Sequence, residues 1–288
     1  MDILPQLVLN SIIAGAIYMM VALGFNLIYG TVKFFDIGYG VLTAIGGYMV
    51  FLFYKQLGLN LGVSIVFGVL ITGAIGYIVN LLVYKRLRER KASKMVFLVA
   101  SLGVFTVLQA ILAIIFSSQF QTLSKGVRET RIFEIFGAVI TEVQLIILVT
   151  GLVITVILAL MMKMTLFGKA IKAVADDEEV SKIVGIDTEK IIGRVFAIGA
   201  VIAALAGMLV GFDTGVEPTM GMSLLLKGVI ASIIGGIGNV WGGVLGAFLL
   251  GFVENFGIWK ISGEWKDAIA FGLLIVFLLF RPQGILRK

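Results

Sequence analysis

LVLNSIIAGAIYMMVALGFNLIY, residues 7–29, carries no charged side chain and only a scatter of polar ones. A helix needs about 20 apolar residues to cross the ~30 Å hydrocarbon core of a bilayer, so this stretch reads as a membrane span. The same pattern returns along the chain at 37–54, 61–84, 95–116, 143–162 and 191–212. Three shorter windows follow at 224–237, 241–256 and 268–280, readable as tilted spans, half-helices or a re-entrant pair. The expectation is an all-α polytopic membrane helix bundle of eight to ten helices. It forms one transmembrane domain over residues 1–288. Asp2 is the only charge before Lys33, so the basic flank of a cleaved signal peptide is missing and the first window is expected to stay as a span.

Composition agrees. Of 288 residues, 60% are hydrophobic and 14% charged, with a mean hydropathy of +1.10. An ordinary soluble domain is about a quarter charged. With no Cys and no His, disulfides, thiol chemistry, His or Cys metal sites and His-based acid–base catalysis are excluded. No metal site is expected.

The formal charge of +6 is an orientation signal, because short cytoplasmic loops collect Lys and Arg. Loop 85–94 (KRLRERKASK) holds Lys85, Arg86, Arg88, Arg90, Lys91 and Lys94 against Glu89. Loop 163–190 carries Lys163, Lys169, Lys172, Lys182 and Lys190, and the tail carries Arg281, Arg287 and Lys288. These belong on the cytoplasmic side. Loop 117–142 balances Lys125, Arg128 and Arg131 against Glu129, Glu134 and Glu142 and belongs outside. Nine spans with the N-terminus outside satisfy every assignment, and no nucleic-acid partner is implied.

Three features stand apart from the spans. Within 168–185, GKAIKAVADDEEVSKIVG, an acidic run (Asp176, Asp177, Glu178, Glu179) interrupts apolar residues at helical spacing: Ile171, Val174, Ala175, Val180, Ile183 and Val184. That fits one or two short amphipathic helices lying on the membrane face, available to a groove on a cytosolic partner or simply solvated. Small residues recur every fourth position as Gly238, Gly242, Gly246 and as Gly243, Ala247, Gly251, a spacing that lets membrane helices approach closely. Ionisable groups lie in or beside spans at Asp36, Asp213, Glu217, Lys227 and Glu254. Such groups face protein or water because a charge at mid-bilayer costs about 2.5–3.5 kcal/mol. Lys227 and Glu254 both fall toward the outer half, placed to pair or to face a vestibule. Asp36, Tyr39, Lys227, Asn239 and Glu254 are the candidates for a solute pathway. Gly-punctuated windows near 30–48 and 215–243 hint at two related halves, as in transporters built from repeats. No GxxxxGK[ST] phosphate loop is present, so the chain does not supply ATP energy itself.

Four passages together resemble the permease subunits of bacterial branched-chain amino acid ABC importers. They are GFNLIYG (24–30) with DIGYGVLTAIGGYM (36–49), GKAIKAVADDEEVSKIVGIDTEKI with FAIGAVIAALAGMLVG (168–191, 196–211), LLLKGVIASIIGGIGNVWGGVLGAFLLG (224–251) and RPQGIL (281–286). The resemblance implies alternating access driven by two cytosolic ABC ATPases, a second permease copy or related permease, an extracytoplasmic solute-binding protein, an inner-membrane location and a non-enzymatic role. No cofactor is expected on this chain, with ATP and Mg on the partner subunits. It also implies that 168–185 is the ATPase-contacting loop, with Gly168, Ala173, Asp176, Asp177, Glu178 and Gly185 as its marks. Where many family members read Asn-Phe-Ala-His-Gly, this chain reads Asp36-Ile37-Gly38-Tyr39-Gly40, nearer the partner-type subunit. Urea-type permeases read similarly, so urea or another amide stays open as the solute. A stand-alone channel or secondary carrier is the alternative from outside the family.

Overall fold

The computed structural model describes residues 3–123, 131–135 and 137–286. The orienting charges Asp2, Lys125, Arg128, Glu129, Arg287 and Lys288 lie outside the described residues. Nine apolar helices correspond to the nine windows. They are α1 (Ile3–Val32), α2 (Gly38–Phe51), α3 (Leu61–Val79), α5 (Lys94–Phe116), α6 (Glu142–Met164), α9 (Thr188–Asp213), α10 (Met220–Gly235), α11 (Val240–Ile258) and α12 (Lys266–Phe280). Among the described residues there are also three short α-helices, α4 (Lys85–Glu89), α7 (Leu166–Asp176) and α8 (Glu178–Ile183), and a 3-10 turn at Gly263–Trp265.

Among the described residues, six segments are long and apolar enough to cross a membrane: α1, Leu61–Glu89, α5, α6, α9 and α11. Two lengths differ from expectation. α11 is a full-length helix rather than a short one. The third segment does not stop at its first basic residues, because a π-turn at Asn80–Tyr84 carries it on into α4. α2 also ends in a π-turn, Leu52–Gln56. Outside the helices, β1 (Ile132–Ile135) and β2 (Ala138–Thr141) pair antiparallel, Ile132 opposite Thr141. This small hairpin in the outer connection was not expected.

Polar side chains at the ends set where the helices start. The first backbone N–H groups of a helix have no partner within it, and Ser, Thr, Asp or Asn oxygens accept them. Asn60 does this for α3, Thr165 for α7, Asp177 for α8, Asp187 for α9 and Asn239 for α11. At α6, Thr141 and Gln144 form a reciprocal capping box.

Contacts between the ends fix the bundle's direction. At one end Lys33 reaches the Asp176 carbonyl, Arg88 reaches Glu189, and the tail lies on α10 through Ile285 N–H to Ile234 O (2.9 Å) and Leu286 N–H to Gly235 O (3.0 Å). This is the end that gathers the basic loops, the one expected from their charge to face the cytoplasm. At the other, Gln6 bonds Val139 of the hairpin and Gln121 bridges to Val216.

The interior is α1, α2, α9, α10 and α11, drawn together by small residues. A Cβ on Gly207 would overlap the Thr43 carbonyl, and one on Gly246 the Ala231 carbonyl. The two glycine ladders face different neighbours. Gly242 and Gly246 lie against α10, whereas Gly243 and Gly251 lie against α1, near Asn26 and Ser11. Gly238 departs from the ladder in position: it sits in the turn before α11 with φ +82°, and from there its backbone lies against Gly30 and Asn26 of α1. The two Gly-punctuated windows touch: a Cβ on Gly40 would come within 2.8 Å of Gly221 O, and one on Gly30 within 3.3 Å of Gly238 Cα.

Candidate functional site

Two places carry the chemistry, one at each end of the bundle.

Toward the outer end, four helices converge on an ion network. Lys227 from α10 is only 6% exposed and Glu254 from α11 is fully buried. Their side chains pair at 2.5 Å. Glu254 also accepts a hydrogen bond from Tyr18 of α1 at 2.7 Å. Lys227 makes a second ion pair with Asp267, in the first turn of α12, at 2.7 Å, and Lys266 comes within 3.9 Å of Glu254. A buried ion is tolerated only when its partners replace water, and here each buried charge has at least two. A cavity of about 210 Å³ opens beside the pair, lined by Met222, Ser223, Leu226, Ile230 and Phe271 together with Lys227 and Asp267.

Sequence reading placed Lys227 and Glu254 near each other but missed Tyr18, Lys266 and Asp267. The last two look like ordinary interfacial charges ahead of a span. The usable signal was topology: with nine spans, residues 254 and 267 share the outer end.

The remaining pathway candidates have structural partners. Asp36 is buried just ahead of α2 and accepts from Tyr84 at 2.6 Å. The Tyr39 hydroxyl donates to Val21 O at 3.1 Å from within the core. Asn239 caps α11 through Trp241 N–H (3.0 Å) and Gly242 N–H (3.4 Å), and its own carbonyl accepts from Asn26. Each holds a helix start or a helix crossing.

At the cytoplasmic end, 168–185 forms two helices. α7 buries Ile171, Val174 and Ala175 and leaves Asp176 outside. Gly168 starts it against the end of α6, where a Cβ would overlap Met161 O. Asp177 breaks the chain direction and caps α8 through Glu179 N–H (2.8 Å) and Val180 N–H (3.0 Å). Glu178 and Lys182 pair at 2.6 Å along α8. Gly185, at φ +89°, turns the chain toward α9. Ala173 is half-buried on α7. The outer face of α8 is apolar and uncovered: Val180, Ile183 (83% exposed) and Val184.

Behind α8, Arg88 grips Glu189 with two hydrogen bonds, Nε at 3.1 Å and Nη2 at 2.9 Å, and Nη2 also reaches Asn80. This joins the end of α4 to the start of α9. A cleft of about 420 Å³ lies between this lock and α8, lined by Lys91, Lys94, Glu178, Glu179 and Lys182. Nearby, Lys190 bonds Asp187 at 2.8 Å and holds its carboxyl below the usual carboxylate range. Among the described residues no His/Cys/Asp/Glu cluster is arranged to hold a metal.

A bundle of apolar helices long enough to cross a bilayer, with an ion network buried among them, defines a multi-pass membrane protein. The chain belongs to the family described as branched-chain amino acid transport system / permease component, whose pattern matches residues 7–278. It is 31% identical to the high-affinity branched-chain amino acid transport system permease protein BraD of Pseudomonas aeruginosa, over 99% of this chain and 96% of that one. It is 29% identical to the LivH permease protein of Escherichia coli, over 98% and 95%. The fold also resembles PsaBC from Streptococcus pneumoniae, solved with a Fab, at TM-score 0.54 and 12% identity over 98% of this chain and 93% of that one. Members of this family are transport components, not enzymes, and as permeases of ABC importers they work with ATPase and substrate-binding partners.

Proposed function

We propose that this permease carries a branched-chain amino acid inward by alternating access, driven by two cytosolic ATPases that seat on α7 and α8. A second permease, a copy or a relative, completes the pathway, and an extracytoplasmic binding protein delivers the solute. ATP and Mg are held by the ATPases. The relatives named for branched-chain amino acids support the solute, at nearly full length.

The observation that carries the coupling is the uncovered face of α8. Val180, Ile183 and Val184 stand in water while the neighbouring α7 is packed into the bundle. An amphipathic helix with i, i+3, i+4 apolar positions is the form that seats in a groove. Asp177 and Glu178 sit at its N-terminal end, where a helix favours negative charge. In this reading Gly168 and Ala173 root α7, Asp176 and Asp177 shape the corner, and Gly185 lets α8 turn back into α9. Movement of α8 reaches the spans through α9 and the Arg88–Glu189 lock. A partner drives this only by binding the two states with different affinity.

The test is uptake by the reconstituted transporter carrying Ile183→Asp or Asp177→Ala. Both variants are expected to assemble in the membrane. Uptake should fall at least about tenfold, while ATP hydrolysis loses its response to the loaded binding protein. Wild-type uptake in both overturns the coupling role.

A further inference from the structure

The cavity beside the ion network has an unusual lining. A cation, Lys227, and a carboxylate, Asp267, paired with each other at 2.7 Å, sit beside one hydroxyl, Ser223, while Met222, Leu226, Ile230 and Phe271 make the rest apolar. Its volume, about 210 Å³, is that of roughly seven water molecules at ~30 Å³ each. Lys227 has three N–H groups; Glu254 and Asp267 accept two. Asp267 meets Lys227 through Oδ1, and its side chain is 71% exposed, which leaves its second oxygen accessible. Glu254, by contrast, is sealed between Lys227 and Tyr18 and supports the lysine without reaching the cavity's lining.

We propose that the cavity between α10 and α12 is a binding site for a zwitterionic amino acid with an aliphatic side chain. The carboxylate takes the third N–H of Lys227, the ammonium takes Oδ2 of Asp267, and the side chain lies against Leu226, Ile230 and Phe271. This rests on the amino-acid reading above and assigns that solute a place in the chain. Charge balance favours a zwitterion. Lys227 and Lys266 already balance Glu254 and Asp267, so a net anion or cation leaves one charge unmatched in a low-dielectric site, whereas a zwitterion leaves none. The apolar wall selects for side-chain size more weakly, as apolar pockets do.

The experiment uses the assembled transporter in proteoliposomes with its binding protein, reading uptake of leucine, valine and phenylalanine alongside ATP hydrolysis. Asp267→Asn keeps the shape and removes the charge at an exposed position. It is expected to lower leucine uptake about tenfold, the worth of one charge-assisted hydrogen bond, while stimulation of ATP hydrolysis by the loaded binding protein persists. Leu226→Trp narrows the cavity without touching an ion and should shift preference from leucine toward valine. Should that variant fail to assemble, Leu226→Ala should shift it the other way, toward phenylalanine. Unchanged uptake and unchanged preference overturn the site. At the Leu226 variants an equal loss for all three solutes also overturns it, since a helix contact or a lipid-filled groove predicts that, whereas Asp267→Asn, which meets the ammonium common to all three, is expected to lower them alike. If the wild-type transporter carries none of the three, the amino-acid reading itself fails, and the site falls with it. If the wild type carries them and the variants do the same, only the site fails.

Discussion

α1 and α9 differ from α5 and α6 in a way that hydropathy does not register. All four are strongly apolar helices of membrane-spanning length. Yet 67% of the most apolar stretch is buried in α1 and in α9, against 17% in α5 and 28% in α6. In water, apolarity would sort inside from outside; in lipid the tails are as apolar as Leu, so packing sorts them instead. The inner helices present Gly15, Ala16, Ala22 and Gly24, or Gly199, Ala200, Ala203, Ala204 and Gly207, to their neighbours. The outer helices present Ile114, Ile115, Leu152 and Ile157 to lipid. Side-chain size is the code for depth in this bundle.

That contrast can be broken at its strongest point by Gly207→Leu. Its Cβ has no room beside the Thr43 carbonyl, and overpacking a tight crossing costs about 1–3 kcal/mol or more. The expected result is loss of folded, detergent-stable protein by size-exclusion fluorescence. Next comes Glu254→Ala, which leaves Lys227 buried with half its partners. Removing one side of a buried pair costs about 3–5 kcal/mol, and thermal unfolding in detergent should show it, with Glu254→Gln milder. Replacing Gly185 by Ala tests the exposed loop, where nothing lies within 4 Å of an added Cβ and only the positive φ objects. The expected cost is about 1 kcal/mol, read as a small drop in melting temperature. The smallest effect belongs to the perimeter: Ile114→Ala, at a side chain 82% exposed, should move stability by less than about 0.5 kcal/mol. A large loss at Ile114 would mean that this face meets protein, and the inner–outer contrast would have to be redrawn around a second subunit.

The nine windows were legible because a span needs a long uncharged run, and the helix ends match to within a few residues. What composition did not disclose is the packing order, since Gly-rich and Leu-rich spans score alike. The run through Asn80–Tyr84 into α4 was hidden because Lys85 and Arg86 look like a loop, whereas a helix continues into water at no penalty. The ion network was half legible. Lys227 and Glu254 stood out as charges inside spans, but Asp267 sits at a helix start, where acidic residues are ordinary. The Arg88–Glu189 lock joins residues that only the fold brings together. The two short helices of 168–185 were legible because their 3–4 spacing is a local property, whereas the cap that Asp177 gives α8 was not read from the acidic run.

The strap of tail backbone on α10 bears on how the protein is made. Ile234 and Gly235 hand their carbonyls to Ile285 and Leu286, which are synthesised some 50 residues later. At about 5–20 residues per second, the inner end of the helix that bears Lys227 waits roughly 3–10 s for its last partners. Through that interval α11 and α12 must enter the membrane and turn back. The start of the last quarter of the chain is therefore finished by Ile285 and Leu286, and α10 to the tail matures as one biosynthetic unit.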